Sequence, residues 1–354
     1  MSALVLKAGK TFPPTQFENP WAIWIDQASV LNRKGLITDD TAFRLCLLHP
    51  WLVQLQKPIR QTLQASGMGS FFTFQPQPQC SHSSVHASCL KQQAEWLAMY
   101  QACQQQQANS FYRKDSPMAF GLFQCLDLAL FFINDPIEQV FSTFKSINPL
   151  DQRYGKLITG LVAVLIAKAF NQQSANRATL QQCIHQTIIE LNTFPFHDTE
   201  QQEWNQIVSY YQQAIHFAGQ PFESDYQFLE SIRQNIFLNP AFAHFNLENQ
   251  GRNNHDPLLF WFQLISALQY AQFDVLHTLQ LLSSGTGDAD TLASIAGFLL
   301  GAWHGAAYFD QLADSTPLHE ALHHVKTSIR FMFDIDLEER AIVLAKLMHP
   351  DSLL

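Results

Sequence analysis

Apolar residues recur three and four positions apart along most of the chain, with polar residues between them. This spacing places apolar side chains on one face of a helix, whereas a half-buried strand needs strict alternation. Alternation is weak, and residues 70–74 form the only candidate strand. We therefore predict an all-α protein. Its helices are expected directly after Asp40 and over residues 92–100, 120–132, 156–170, 180–191, 204–217, 226–236, 258–270, 275–282, 317–333 and 337–348.

An aspartate followed by a proline indicates a helix start at two places, Asp135-Pro136 and Asp256-Pro257. A carboxylate can accept the free N–H groups of a helix start, and proline is favoured at the first helical position. The sequence therefore predicts that both aspartates cap the helices that follow them.

The segment 291–309 carries no formal charge and is long enough to span a bilayer. However, no basic flank or second comparable span accompanies it. Small residues recur every fourth position on one of its faces, which lets another helix approach closely. We predict a buried central helix and no membrane insertion. The small residues are Ala289, Ala293, Gly297, Gly301 and Gly305.

Composition favours one large core. Of the 354 residues, 47% are hydrophobic and 14% are charged, and no fixed-period repeat or obvious interdomain linker divides the chain. We expect a single compact multi-helix domain over residues 1–354. The net charge of −9 and the lack of a basic run argue against nucleic-acid binding. The sequence predicts no particular oligomeric state.

A cytoplasmic location is expected from the cysteines and the N-terminus. The six cysteines are irregularly spaced in a large chain, which favours reduced thiols over a disulfide framework. The first residues lack the apolar core of a secretory signal.

Two acidic motifs stand far apart, each ahead of a predicted helix: Thr38-Asp39-Asp40-Thr41 and Gly287-Asp288-Ala289-Asp290-Thr291. Helix N-termini favour negative charge, so either motif alone is most simply interpreted as a helix cap. Together they offer four carboxylates and threonine oxygens, which suit Mg²⁺, Mn²⁺ or Ca²⁺ better than zinc. If the two helix starts converge, such a concentration of charge needs bound cations.

These motifs resemble those of the ADP-ribosylglycohydrolase family. In that family a Thr-Asp-Asp-[Thr/Ser] motif and a later Gly-Gly-Asp-x-Asp-Thr motif bind a dinuclear Mg²⁺ or Mn²⁺ centre; one glycine of the second motif is replaced here, by Thr286. The resemblance implies an all-α fold and hydrolysis of a glycosidic bond to ADP-ribose on a protein or small molecule. It implies metal binding by Thr38, Asp39, Asp40, Asp288, Asp290 and Thr291.

The implied substrate pocket departs further from the family pattern. Residues 109–117 are similar to the family's Asn-Gly-x-x-Met-Arg-x-x-Pro segment, which implies that Asn109 binds substrate, as Gly287 would. The family's Thr-His has no counterpart near residues 146–149. Gln16 stands where the family has an active-site glutamate, and glutamine cannot act as a carboxylate base. No catalytic residue is therefore assigned. The alternative is a protein that binds metal, with or without ADP-ribose, and has no turnover.

Two zinc-like patterns are less specific. His319-Glu320-Ala321-Leu322-His323 matches H-E-x-x-H, but no third ligand follows it, so a solvated helix start is favoured. Cys80, His82, His86 and Cys89 match no known zinc spacing and lie in a Gln/Ser/Pro-rich tract, which favours a polar loop.

Overall fold

The computed structural model describes residues 98, 101–102, 105, 119, 121–122, 126–148, 150–171, 177–234, 256–284, 289–313, 336–339 and 341–342. Its regular elements in these ranges are helices, and no strand is present there, which confirms the all-α prediction. A 3-10 helix, Leu126–Phe132, comes first. The α-helices are α1 Ile137–Lys145, α2 Tyr154–Phe170, α3 Arg177–Leu191, α4 Asp198–Ala218, α5 Asp225–Ile232, α6 Pro257–Tyr270, α7 Val275–Ser284 and α8 Ala289–Ala313.

The centre of the bundle is α2. Every residue from Leu157 to Ala167 is buried, because this stretch is apolar apart from Thr159 and has no charged or strongly polar face to turn to water. Helices α1, α3, α4, α6 and α8 and the 3-10 helix all pack against it. The predicted helix over 156–170 is therefore confirmed, and it is the element that the others cover.

A glycine sets the distance between α1 and α2. A Cβ added at Gly160 would lie 2.9 Å from Cδ2 of Phe141 and 3.0 Å from its carbonyl oxygen. Because the backbone oxygen cannot move aside without shifting α1, only glycine allows the two helices to pack this closely.

The two predicted caps have different outcomes. Asp256 caps α6 as expected, accepting hydrogen bonds from the N–H groups of Leu258 at 2.9 Å and Leu259 at 3.3 Å. The prediction for Asp135 was wrong, since Pro136 is the N-cap residue of α1 and no side chain caps the helix. The Asp135 carboxylate instead accepts a hydrogen bond from the side-chain amide of Gln139 at 3.1 Å.

Helix α8 begins as predicted but departs from a straight, uniformly buried rod. Leu292, Ile295 and Leu299 face the core, whereas no described atom lies within 4 Å of a Cβ built at Gly301. Other members of the small-residue stripe are packed: Ala289 is fully buried, and a Cβ built at Gly297 would lie 3.8 Å from Cδ2 of Leu279 on α7. Gly305 has φ 73° and ψ 173°, a conformation that glycine alone adopts readily, and it kinks the helix.

None of the described helices is long and apolar enough to cross a membrane.

A partly exposed ion pair ties α5 to α7. The Nε2 atom of His277 lies 3.0 Å from both carboxylate oxygens of Asp225. This hydrogen bond raises the pKa of His277, against the opposing effect of its burial, and the charge of Asp274 adds to the rise. The same bond, with help from Tyr270, holds the pKa of Asp225 below its usual range.

The His277–Asp225 pair predicts a defined pH dependence of stability. The raised pKa of His277 means that its contribution is complete below pH ~6.5 and is lost as pH rises through the folded-state value. The lowered pKa of Asp225 means that its contribution is lost as pH falls below ~4. The free-energy difference between wild type and His277→Gln should therefore peak near pH ~5.5. Because both side chains are about one-third exposed, it should not exceed about 1 kcal/mol.

Urea unfolding between pH 4 and pH 9 measures this difference. His216→Gln, which alters an exposed histidine on α4, is the matched control and should show no such maximum. A His277→Gln difference that stays constant over this range would contradict the assignment.

Candidate functional site

The structure describes two of the six predicted metal-binding residues. Asp290 and Thr291 lie in the first turn of α8, and Thr291 is 1% exposed. The remaining predicted site residues are outside the described part of the chain, so the meeting of the two acidic motifs stays a prediction. These residues are Gln16, Thr38, Asp39, Asp40, Asn109, Gly287 and Asp288.

Packing fixes the orientation of the α8 start. The helix packs against α2 and α7, and Thr291, Leu292 and Ile295 near its start are buried. The first turn of any helix leaves backbone N–H groups without intrahelical partners and carries the positive end of the helix dipole. Thr291 of the second acidic motif thus lies, buried, at a helix start at which negative charge is favoured.

The donor chemistry of this helix start suits a hard cation. A carboxylate residue and a buried hydroxyl residue follow one another in the first turn of α8, and both side-chain types offer oxygen ligands. Across the described ranges no group of three or more His, Cys, Asp or Glu side chains is placed to hold a metal ion.

A buried polar network that no sequence motif indicated lies at the start of α2. Both oxygens of Asp151 accept hydrogen bonds from the N–H of Gly121, at 3.0 and 3.2 Å. The hydroxyl of Thr159 donates to Asp151 Oδ2 at 2.8 Å. The available signal was an aspartate three residues before a helix with a long apolar stretch, where a buried carboxylate needs hydrogen-bond donors.

A second buried carboxylate links α2 to α6. The hydroxyl of Tyr154, the first residue of α2, donates to Asp256 Oδ2 at 2.8 Å. Burial raises the pKa of Asp256 to about 6, even though the hydrogen bonds from Tyr154, Leu259 and Leu258 favour its charged form. Burial and the nearby Asp256 charge raise the pKa of Tyr154.

Charged residues surround this end of α2. Burial alone would raise the pKa of Glu200, but Lys145 and Lys156, each 2.9 Å from it, outweigh that effect and lower it. Burial raises the pKa of Glu203, which is 3.5 Å from Arg153. Arg153 has φ 49°, which is uncommon for a residue with a side chain. The turn into α2 thus contains a strained backbone, and the charged side chains around it form ion pairs.

Comparison with known proteins identifies the class. The profile of the ADP-ribosylglycohydrolase family matches residues 6–340, nearly the whole chain and both acidic motifs. The chain therefore belongs to the ADP-ribosylglycohydrolase family, and the resemblance drawn from its motifs is confirmed. It is an ADP-ribosylglycohydrolase-like glycosyl hydrolase by family. No curated protein sequence matches it.

The Tyr154–Asp256 contact predicts a pH-dependent mutational effect. Tyr154→Phe removes a donor that favours the ionised carboxylate of Asp256, so the pKa of Asp256 should rise further above about 6. The variant should lose about 1–3 kcal/mol of unfolding free energy at pH 8, where wild-type Asp256 is ionised, and less at pH 5.

Denaturant unfolding at both pH values tests this effect. Tyr211→Phe is the control, since Tyr211 is also a buried tyrosine that stacks on a tryptophan, Trp261, and its loss of a hydroxyl should matter little at either pH. Equal losses for Tyr154→Phe at pH 5 and pH 8 would contradict the proposed coupling.

Proposed function

We propose that this protein hydrolyses the glycosidic bond between ADP-ribose and a group on a protein or small molecule, using two Mg²⁺ or Mn²⁺ ions. The observation that carries the proposal is the family match over residues 6–340, which includes both acidic motifs. The burial of Thr291 at the start of α8 supports it, because a metal ligand has to be held in place by its surroundings.

The chain's own residues would hold the ions with oxygen ligands. Four aspartates would supply carboxylates and two threonines would complete the coordination. When bound, the ions would offset the carboxylate charge and polarise ribose hydroxyls and a water molecule. The residues concerned are Thr38, Asp39, Asp40, Asp288, Asp290 and Thr291.

Substrate binding would use the same helix start. The N–H groups in the first turn of α8 favour an anion such as the diphosphate of ADP-ribose. Gly287, directly ahead of this turn, would let the backbone approach the substrate, and Asn109 would contribute a side-chain amide. The net charge of −9 favours such a small anion held by local N–H groups over a nucleic-acid partner. A cytoplasmic location belongs to the same proposal.

A second function, binding without turnover, is favoured by one observation. Gln16 replaces the carboxylate that the family pattern has near the N-terminus, and an amide cannot accept a proton from water. Such a protein would keep the metal ligands and the ADP-ribose contacts but release no product.

Release of ADP-ribose separates the two functions. The purified protein is incubated with ADP-ribosylated protein and with small ADP-ribose conjugates in Mg²⁺ or Mn²⁺, and free ADP-ribose is quantified. Hydrolysis predicts release that EDTA abolishes and excess Mn²⁺ restores. Binding of ADP-ribose with no release from any conjugate would establish the second function and overturn the first.

Two variants locate the missing carboxylate in the same assay. If Gln16 limits the rate, Gln16→Glu should raise it by about tenfold or more, within the range of general acid–base catalysis. Glu18→Gln is the matched change two residues away and should leave the rate unaltered. Loss of activity in Glu18→Gln would instead assign the role to Glu18.

A further inference from the structure

Helices α3 and α4 carry long stretches without a charged residue. No Asp, Glu, Lys or Arg occurs over residues 178–189 of α3 or 204–218 of α4, although 14% of the whole chain is charged. The exposed residues recur at helical spacing, so they form one stripe along each helix. On α3 the stripe consists of Gln181, Gln182, His185, Gln186 and Ile189. On α4 it consists of Asn205, Ser209, Gln212, Gln213 and His216, and the two stripes together are called the uncharged face.

The two stripes are neighbours, because α3 and α4 border the same groove. The ring of His185 on α3 stacks on Tyr211 of α4, with ring centroids 6.4 Å apart. The groove has a volume of about 650 Å³ and is lined from both helices, including Ile215 of α4. Lys168 also lines it, but its ammonium lies 2.7 Å from the carboxylate of Glu190, so this pair adds no net charge. The uncharged face is therefore continuous across the two helices.

Most side chains of the uncharged face are amides, which can pair with copies of themselves. A side-chain amide carries two N–H donors and a carbonyl oxygen that accepts. Some of these amides already bond within their own helix: Nε2 of Gln213 donates to the hydroxyl of Ser209 at 3.1 Å, and Nε2 of Gln186 donates to Glu190 at 3.2 Å. Each such bond uses one donor and leaves the amide able to bond across an interface.

This chemistry suits a second copy of the chain. A two-fold contact places residues near its axis against their own copies, where a charged residue would meet a like charge and an amide meets both a donor and an acceptor. Two copies that each carry a net charge of −9 repel one another, so they approach at least cost where neither is charged. Ile189, which is 45% exposed, adds an apolar contact. We propose that the uncharged face binds the same face of a second copy, independently of the proposed hydrolysis.

The size of the uncharged face predicts a weak dimer. Helices α3 and α4 have 15 and 21 residues, which corresponds to lengths of roughly 22 and 31 Å. With helix diameters of about 10 Å, the pair covers on the order of 500 Å² per copy, or about 1,000 Å² in total. That area is at the low end for specific interfaces, so Kd for the dimer should lie in the range of about 10–100 μM.

Sedimentation velocity of the full-length chain tests the proposal, over concentrations from about 1 μM to about 300 μM that bracket the expected Kd. The mass at the lowest concentration should be that of one 40.3 kDa chain, and it should approach twice that value as concentration rises. Gln182→Glu on α3 and Gln212→Glu on α4 each replace an exposed amide with a carboxylate of the same shape. Each should raise Kd on the order of tenfold or more, because like charges then face one another.

Gln280→Glu is the matched control, since it adds the same charge at a partly exposed position on α7, outside the uncharged face. It should leave Kd as in the wild type. A wild-type chain that stays at 40.3 kDa at the highest concentration would overturn the proposal. A dimer whose Kd is the same in Gln182→Glu, Gln212→Glu and wild type would place the contact elsewhere and overturn it too. If one of the two variants fails to fold, the other decides.

Discussion

Burial of α2 on every side is the constraint on which the rest of the described structure depends. From Leu157 to Ala167 the helix has no face for water, so α1, α3, α4, α6 and α8 have to surround it. Two buried carboxylates lie where α2 begins, and each of them needs hydrogen-bond donors. Asp151 finds them in Gly121 and Thr159, and Asp256 finds them in Tyr154 and the start of α6.

Helical periodicity predicted much of this bundle because it reports which residues face a core. The expected helices over 258–270 and 275–282 correspond to α6, Pro257–Tyr270, and α7, Val275–Ser284. The cap at Asp256 was also predictable, since it depends on neighbouring residues alone. Local sequence patterns did not predict the conformation where tertiary contacts determine it. The 3-10 geometry of Leu126–Phe132, within an expected helix, is one such case.

Only the parts of the candidate site that lie in sequence motifs could be predicted. Spacing of aspartates and threonines indicated the family, which the match over residues 6–340 confirmed. The partnership of Asp151 with Gly121 was not predictable, because it joins positions 30 residues apart through one backbone N–H and a missing side chain. Thr291 belongs to the second acidic motif and is also described by the structure, which places it, buried, at a helix start.

The central claim is that the two acidic motifs bind the same ions, and bound Mn²⁺ per chain tests it most directly. Wild-type protein dialysed against Mn²⁺ should hold two ions, and Asp40→Ala and Asp290→Ala should each lose at least one. The double variant should lose little more than the more damaging single change, since both residues serve one centre. Asp198→Ala, which removes an exposed aspartate from the first turn of α4, should keep both ions. Unchanged Mn²⁺ content in Asp290→Ala would contradict the account.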